Sequence, residues 1–168
     1  SNGWRFQRGL TRAHYEKLPA GASLVAAAEA FAFGVDAVVN PDAADLDELG
    51  RLAAFLKTQG QPPMPAIANV GVVDDGSPEM GEILNMLTRR NILYRVVPKG
   101  DRGQLVTVEV GTTAFPRDTL RNPGDFAARV REALGDERRS VRIYGSSTVI
   151  AHLTGDGARS RLFLVSYS

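Results

Sequence analysis

Hydrophobic positions recur with a helical period in the front of the chain. Across Ala22–Phe33, Leu24, Ala28 and Phe31 fall at i, i+4 and i+7 and share one face of a small-residue helix, with Gly34 suited to the left-handed turn that ends it. Ala37-Val38-Val39 reads as a short buried strand, and Asn40-Pro41-Asp42 as a turn. A second helix is predicted over Asp45–Gln59. Its stripe is Leu46, Leu49, Ala53 and Leu56, widened by Leu52 and Phe55, and Asp45, Asp47 and Glu48 crowd its positive N-terminal end. Gly60 closes this helix. Gln61-Pro-Pro-Met-Pro65 cannot be helical and reads as an extended linker.

Beyond the linker the period changes. Ile67–Val73 is nearly all apolar, the pattern of a strand buried on both faces of a parallel sheet. In Asp74-Asp75-Gly76-Ser77-Pro78-Glu79, Ser77 suits an N-cap and Pro78 the first helical position. The helix that follows buries Met80, Ile83, Leu84 and Leu87, and Ile92–Val97 forms the next strand. Together these make a βαβ unit, whose crossover is right-handed by rule. Gln104–Val110 alternates as a strand, and Asn122-Pro123-Gly124-Asp125 opens a helix with Phe126, Val130 and Leu134 on one face. Val141–Tyr144 reads as a further strand. Thr148–Leu153 and Arg161–Val165 flank Thr154-Gly-Asp-Gly157 as a β-hairpin. The fold class predicted is α/β: a three-layer, Rossmann-like, mainly parallel sheet, with a helical lead-in and a closing hairpin. The divisions expected are 1–65, 66–145 and 146–168.

Composition narrows the functions. The chain has 168 residues, and 20 basic against 19 acidic side chains leave a net charge of +1, without the basic excess that nucleic-acid binding requires. The Arg-rich back third is interspersed with acids and reads as a solvated, mixed-charge surface. With no Cys, disulfides, thiolate metal sites and Cys nucleophiles are excluded together. The most apolar stretch, Ala22–Val39, is interrupted by Glu29 and Asp36, so no membrane span is expected. Ser1-Asn2 has the look of a residual scar, and Leu162-Phe-Leu-Val-Ser-Tyr-Ser168 that of a strand cut short, so the chain is expected to be a piece of a longer protein.

The candidate ligand site is the loop Asp74, Asp75, Gly76, Ser77 and Glu79. Two carboxylates at the C-terminal end of a parallel strand stand where open α/β sheets bind ligands, and such a pair can hold Mg²⁺. The competing reading is that one Asp caps the next helix and the other is solvated. Gly76-Ser77 could offer backbone N–H groups to an anion or serve simply as a cap. His14 and His152 are the two histidines, far apart and without further metal ligands beside them; His152 is expected to be exposed or to be a satisfied rim residue. Glu79, Glu82, Glu109 and Glu132 qualify as hydrolytic acids by residue type alone. Neither a catalytic residue, a metal ligand set nor a cofactor is assigned.

Two resemblances follow from these residues. Val72-Val73-Asp74-Asp75 before an amphipathic helix resembles the start of a response-regulator receiver domain, in which the acidic pair binds Mg²⁺. The later strand ends in Val110-Gly111 where that family has its phosphoacceptor Asp, and no Lys follows Lys99, so the resemblance implies a degenerate module. The second covers residues 22–168. Ala28-Glu-Ala-Phe-Ala-Phe-Gly34, the Asp45–Gln59 helix, the Pro-rich linker and Ala68-Asn-Val-Gly-Val-Val73 resemble the passage from a glycoside-hydrolase TIM barrel into its next domain in β-galactosidase-type proteins. That domain is similar to class I glutamine amidotransferases, and the closing hairpin resembles the opening of a following β-sandwich. It implies a non-catalytic accessory or assembly domain, exported, whose partners are the remainder of a parent chain and, in homo-oligomers, further copies of itself. A small carbohydrate-active hydrolase is the third reading.

Overall fold

A computed structural model of the chain describes residues 1–59 and 64–167. Gly60, read as the end of the second helix, and residues 61–63 of the linker lie outside the described residues.

The protein is α/β, with parallel strands alternating with helices and an antiparallel hairpin at the C-terminal end. Its centre is a three-stranded parallel sheet in the order β4-β3-β5, made of β3 (Val70–Val72), β4 (Tyr94–Val96) and β5 (Val106–Val108). Val70 pairs with Tyr94 on one side and Val106 on the other. Val70 and Val72 are fully buried, as the continuous apolar run requires. Helix α4 (Pro78–Arg89) connects β3 to β4, and α5 (Pro123–Leu134) packs beside it. Their inward faces, including Ile83, Leu84, Leu87, Phe126 and Val130, close over Val70, Val72 and Val108 as one core. Both helices start as their sequences predict. Ser77 Oγ accepts the Met80 N–H at 3.2 Å, Asn122 Oδ1 accepts those of Gly124 and Asp125, and a Pro occupies the first turn of each.

The lead-in is not purely helical. Helix α1 (Gly3–Gln7) precedes β1 (Arg12–Tyr15), which pairs in parallel with β2 (Asp36–Val39) across the intervening α2 (Ala22–Ala32). This second βαβ unit escaped the sequence pattern because β1 is four residues long and mostly polar. Gly34 ends α2 as expected, at φ +66 with its N–H on the Phe31 carbonyl. The face of α2 turned fully inward is Ser23, Ala26 and Ala30, one step around from Leu24, Ala28 and Phe31. The strand read at Ala37-Val38-Val39 forms, but β2 is exposed rather than buried. Helix α3 (Leu46–Thr58) also forms where predicted, yet no residue of it is buried.

The hairpin joins β6 (Val149–Gly155) to β7 (Ser160–Ser166) antiparallel, with His152 opposite Phe163 and Thr154 opposite Arg161. The strand predicted at Val141–Tyr144 does not form. This segment runs free of any ladder because its start is anchored elsewhere. Ser140 exchanges two hydrogen bonds with the Asn69 side chain, and Arg139 donates to the carbonyls of Arg90 and Asn91. Tyr144 is consequently exposed. Asn91, in the left-handed region at φ +54, binds β6 through its amide at Val149 O and Ala151 N, which docks the hairpin on the end of α4.

Candidate functional site

The acidic loop lies at the C-terminal end of β3, the central strand, and α1 lies across it. Trp4 and Arg8 rest on Gly81 of α4, where a Cβ would meet both side chains at about 3 Å. From this position Arg8 grips Asp74 with both arms of its guanidinium, Nε to Oδ2 at 2.6 Å and NH2 to Oδ1 at 2.8 Å. The same NH2 donates to the Ser77 carbonyl, and the Gly76 N–H donates to Asp74 Oδ1. Such a bidentate, charge-assisted pair is among the strongest polar contacts a protein makes.

Asp75 accepts the Ser77 N–H at 3.0 Å and faces Arg117 at 3.7 Å. Hydrogen bonding from Ser77 holds its carboxyl below the usual carboxylate range, and the nearby Arg117 and Arg8 act in the same direction. Thus Asp75 orders the turn that leads into the helix, while the cap itself is Ser77 rather than an Asp. Asp74 is neutralised from within the chain rather than by solvent. Glu79 is exposed in the first turn of α4, and no hydrogen bond or ion pair among the described residues draws it into the loop. Glu82 and Glu132 are solvated on their helices, and Glu109 faces Lys99 at 3.0 Å. No group of three or more His, Asp or Glu among the described residues could hold a metal ion, and no helix among them is long and apolar enough to cross a membrane.

A second site was not legible in the sequence. A cavity of about 650 Å³ opens between α1, the α2–β2 corner, β4 and the hairpin. His152, expected at the surface or on a rim, is 7% exposed and forms part of the cavity wall. Its ring lies 4.3 Å from that of Phe33, centroid to centroid, and Phe163 flanks it across the strand pair. Phe6 meets Phe33, and Phe31 meets Phe163 edge-on, so the aromatic wall continues on both sides. Among the described residues the imidazole makes no side-chain hydrogen bond, and burial pushes its pKa down to about 4. The ring is therefore neutral at pH 7. The alternation of β6 and β7 was visible in the sequence. What it could not reveal was that the His152 face of the hairpin meets α2.

A buried acid lies behind this wall. Glu29 of α2 is 3% exposed, and its Oε1 accepts the N–H groups of Asn2 and Gly3, the Ser1 hydroxyl and the Tyr167 hydroxyl. Burial, and then the bond to Glu29, raise the pKa of Tyr167. One carboxylate thus ties the start of α1 to the residue that follows β7.

Compared with known protein families, with curated proteins and with solved structures, the chain matches none.

Proposed function

We propose that this chain is a non-catalytic accessory and assembly domain, of the three-layer glutamine amidotransferase-like kind, within a larger glycoside-hydrolase-like protein. The observation that carries this reading is the parallel pair β1–β2, in which β2 is largely exposed although Ala13 of β1 is buried. Parallel sheets occur almost only where other layers cover both faces, whereas Asp36, Ala37 and Val38 of β2 are exposed and Val38 keeps 57% of its surface. The next helix continues the same surface. α3 has an apolar stripe, but Leu46 and Phe55 remain exposed. A helix gains most of its stability by burying such a stripe. Both elements pack on α2 yet keep apolar surface exposed among the described residues, and the remainder of a parent chain is the cover this reading supplies. The order of elements supports the same view: a strand–helix unit and an amphipathic helix, then a parallel α/β unit, then a hairpin.

The degenerate receiver reading has less support, because Arg8 already occupies both oxygens of Asp74. The natural reading frame provides the test. It is expected to encode a barrel-sized region before Trp4, and amide exchange in β2 and α3 should be at least about tenfold slower in that parent protein than in this chain alone. A frame that begins near Trp4 and stops near Ser168, or equal exchange in the two proteins, would overturn the proposal. Concentration-dependent dimers of the isolated chain that protect β2 and α3 would replace the parent chain with a second copy as the cover.

A further inference from the structure

We infer that the cavity walled by His152 is a binding site for a small flat organic acid, its ring held among Phe33, His152 and Phe163 and its carboxylate held by Arg161. This inference is independent of the assembly reading. It starts from the hairpin. His152 and Thr154 are two residues apart on β6 and so share a face, and their cross-strand partners Phe163 and Arg161 present the same face. All four line the cavity. His152 and Thr154 are each more than nine-tenths buried, yet neither side chain has a hydrogen bond among the described residues. Their polar atoms are not sealed from the cavity, so both groups are open to the polar atoms of an occupant.

The chemistry of the wall selects that occupant. The cavity volume of about 650 Å³ falls in the range of about 300–1,000 Å³ that small-molecule sites occupy. Phe31, Phe33, Phe163 and the imidazole supply flat apolar surface, which favours a ring stacked in offset or edge-on geometry. The charged groups are biased toward cations. Arg161 lies over Phe163 at 5.8 Å and has no carboxylate partner among the described residues. Arg95 donates to the Ala66 carbonyl and is likewise without one. Asp36, the one acid on the wall, faces Arg12 instead. A guanidinium stacked on an aromatic ring with its fork free matches a carboxylate bidentately. The neutral imidazole has one N–H and one acceptor nitrogen, and the Thr154 hydroxyl can do both, so these two groups can serve a polar substituent on the ring.

The two histidines make the test direct, because carbon–proton NMR resolves one imidazole in the cavity and one at exposed His14. The probes are cinnamate, its neutral counterpart cinnamyl alcohol, and glucuronate. Cinnamate is expected to shift the His152 signal saturably and to leave His14 in place. Cinnamyl alcohol, and cinnamate on the Arg161→Gln variant, should each bind about tenfold more weakly, the loss expected when a hydrogen bond to a charged group is removed. Arg161 is only half-buried, so circular dichroism should show the variant folded. The inference is overturned by a His152 signal that cinnamate does not move at roughly millimolar concentration. It is equally overturned if alcohol and acid bind alike, if Arg161→Gln binds cinnamate as the parent does, or if glucuronate binds and cinnamate does not.

Discussion

Acidification should destabilise this protein through His152 before its carboxylates begin to titrate. The imidazole is 7% exposed, and burial lowers its pKa from 6.5 to about 4. In the unfolded chain it takes up a proton as the pH falls through 6.5, while in the fold it stays neutral down to about 4. Between those values the unfolded state binds more protons, so stability falls as pH falls; above 6.5 the group has no effect. At about 1.4 kcal/mol per pKa unit, the full loss across the window is about 3 kcal/mol, a large share of a typical domain's stability. The assay is urea unfolding followed by circular dichroism at a series of pH values, comparing the parent with His152→Phe. The variant keeps the ring packing against Phe33 and removes the titrating group. The parent curve should drop toward pH 4 while the variant curve stays nearly level. Asp75, Asp136 and Asp156, whose folded pKa values are lowered, contribute alike to both proteins, and their stabilisation is lost only at lower pH, below the ordinary value of 3.8. Parallel curves for the two proteins across the window would refute the argument.

Two further outcomes are expected. Arg8→Met strands a largely buried Asp74 carboxylate and should cost about 2–3 kcal/mol in urea unfolding, with part of it recovered in the Arg8→Met, Asp74→Asn double variant; strictly additive losses would mean the two side chains do not couple. Glu29→Ala leaves two backbone N–H groups and the Tyr167 hydroxyl without their acceptor and should cost about 2–4 kcal/mol, against about 1 kcal/mol for Tyr167→Phe; equal losses would place the Glu29 effect in Tyr167 alone.

Local features of the chain determined most of its elements. The Ser77-Pro78 and Asn122-Pro123 helix starts, the unbroken apolar run at Val70–Val73 and the alternation around Thr154-Gly-Asp-Gly157 each act within a few residues, so they could be read without knowing any neighbour. One expectation failed where the deciding contact is distant. The apolar residues of Val141–Tyr144 alternate as a strand would, but Asn69, Arg90 and Asn91 anchor the chain just before them in a path that no ladder can join. The apolar stripe of α3 forms the expected helix, but among the described residues it is only half-covered beside α2, with Leu46 and Phe55 left exposed.

Both candidate sites show the same division. The Asp74-Asp75 pair was visible in the sequence, together with its position at the end of a strand. What the pair does depends on Arg8, brought from 66 residues away by the packing of α1 on α4. His152 was visible only as a polar residue in an alternating strand, and its burial, its neutral state and its stacking come from Phe33 at the end of another element. Periodicity and capping specify which face of an element is apolar and where that element stops. Which partner meets the face, and which charge meets a carboxylate, is decided only when the packed core brings distant segments together.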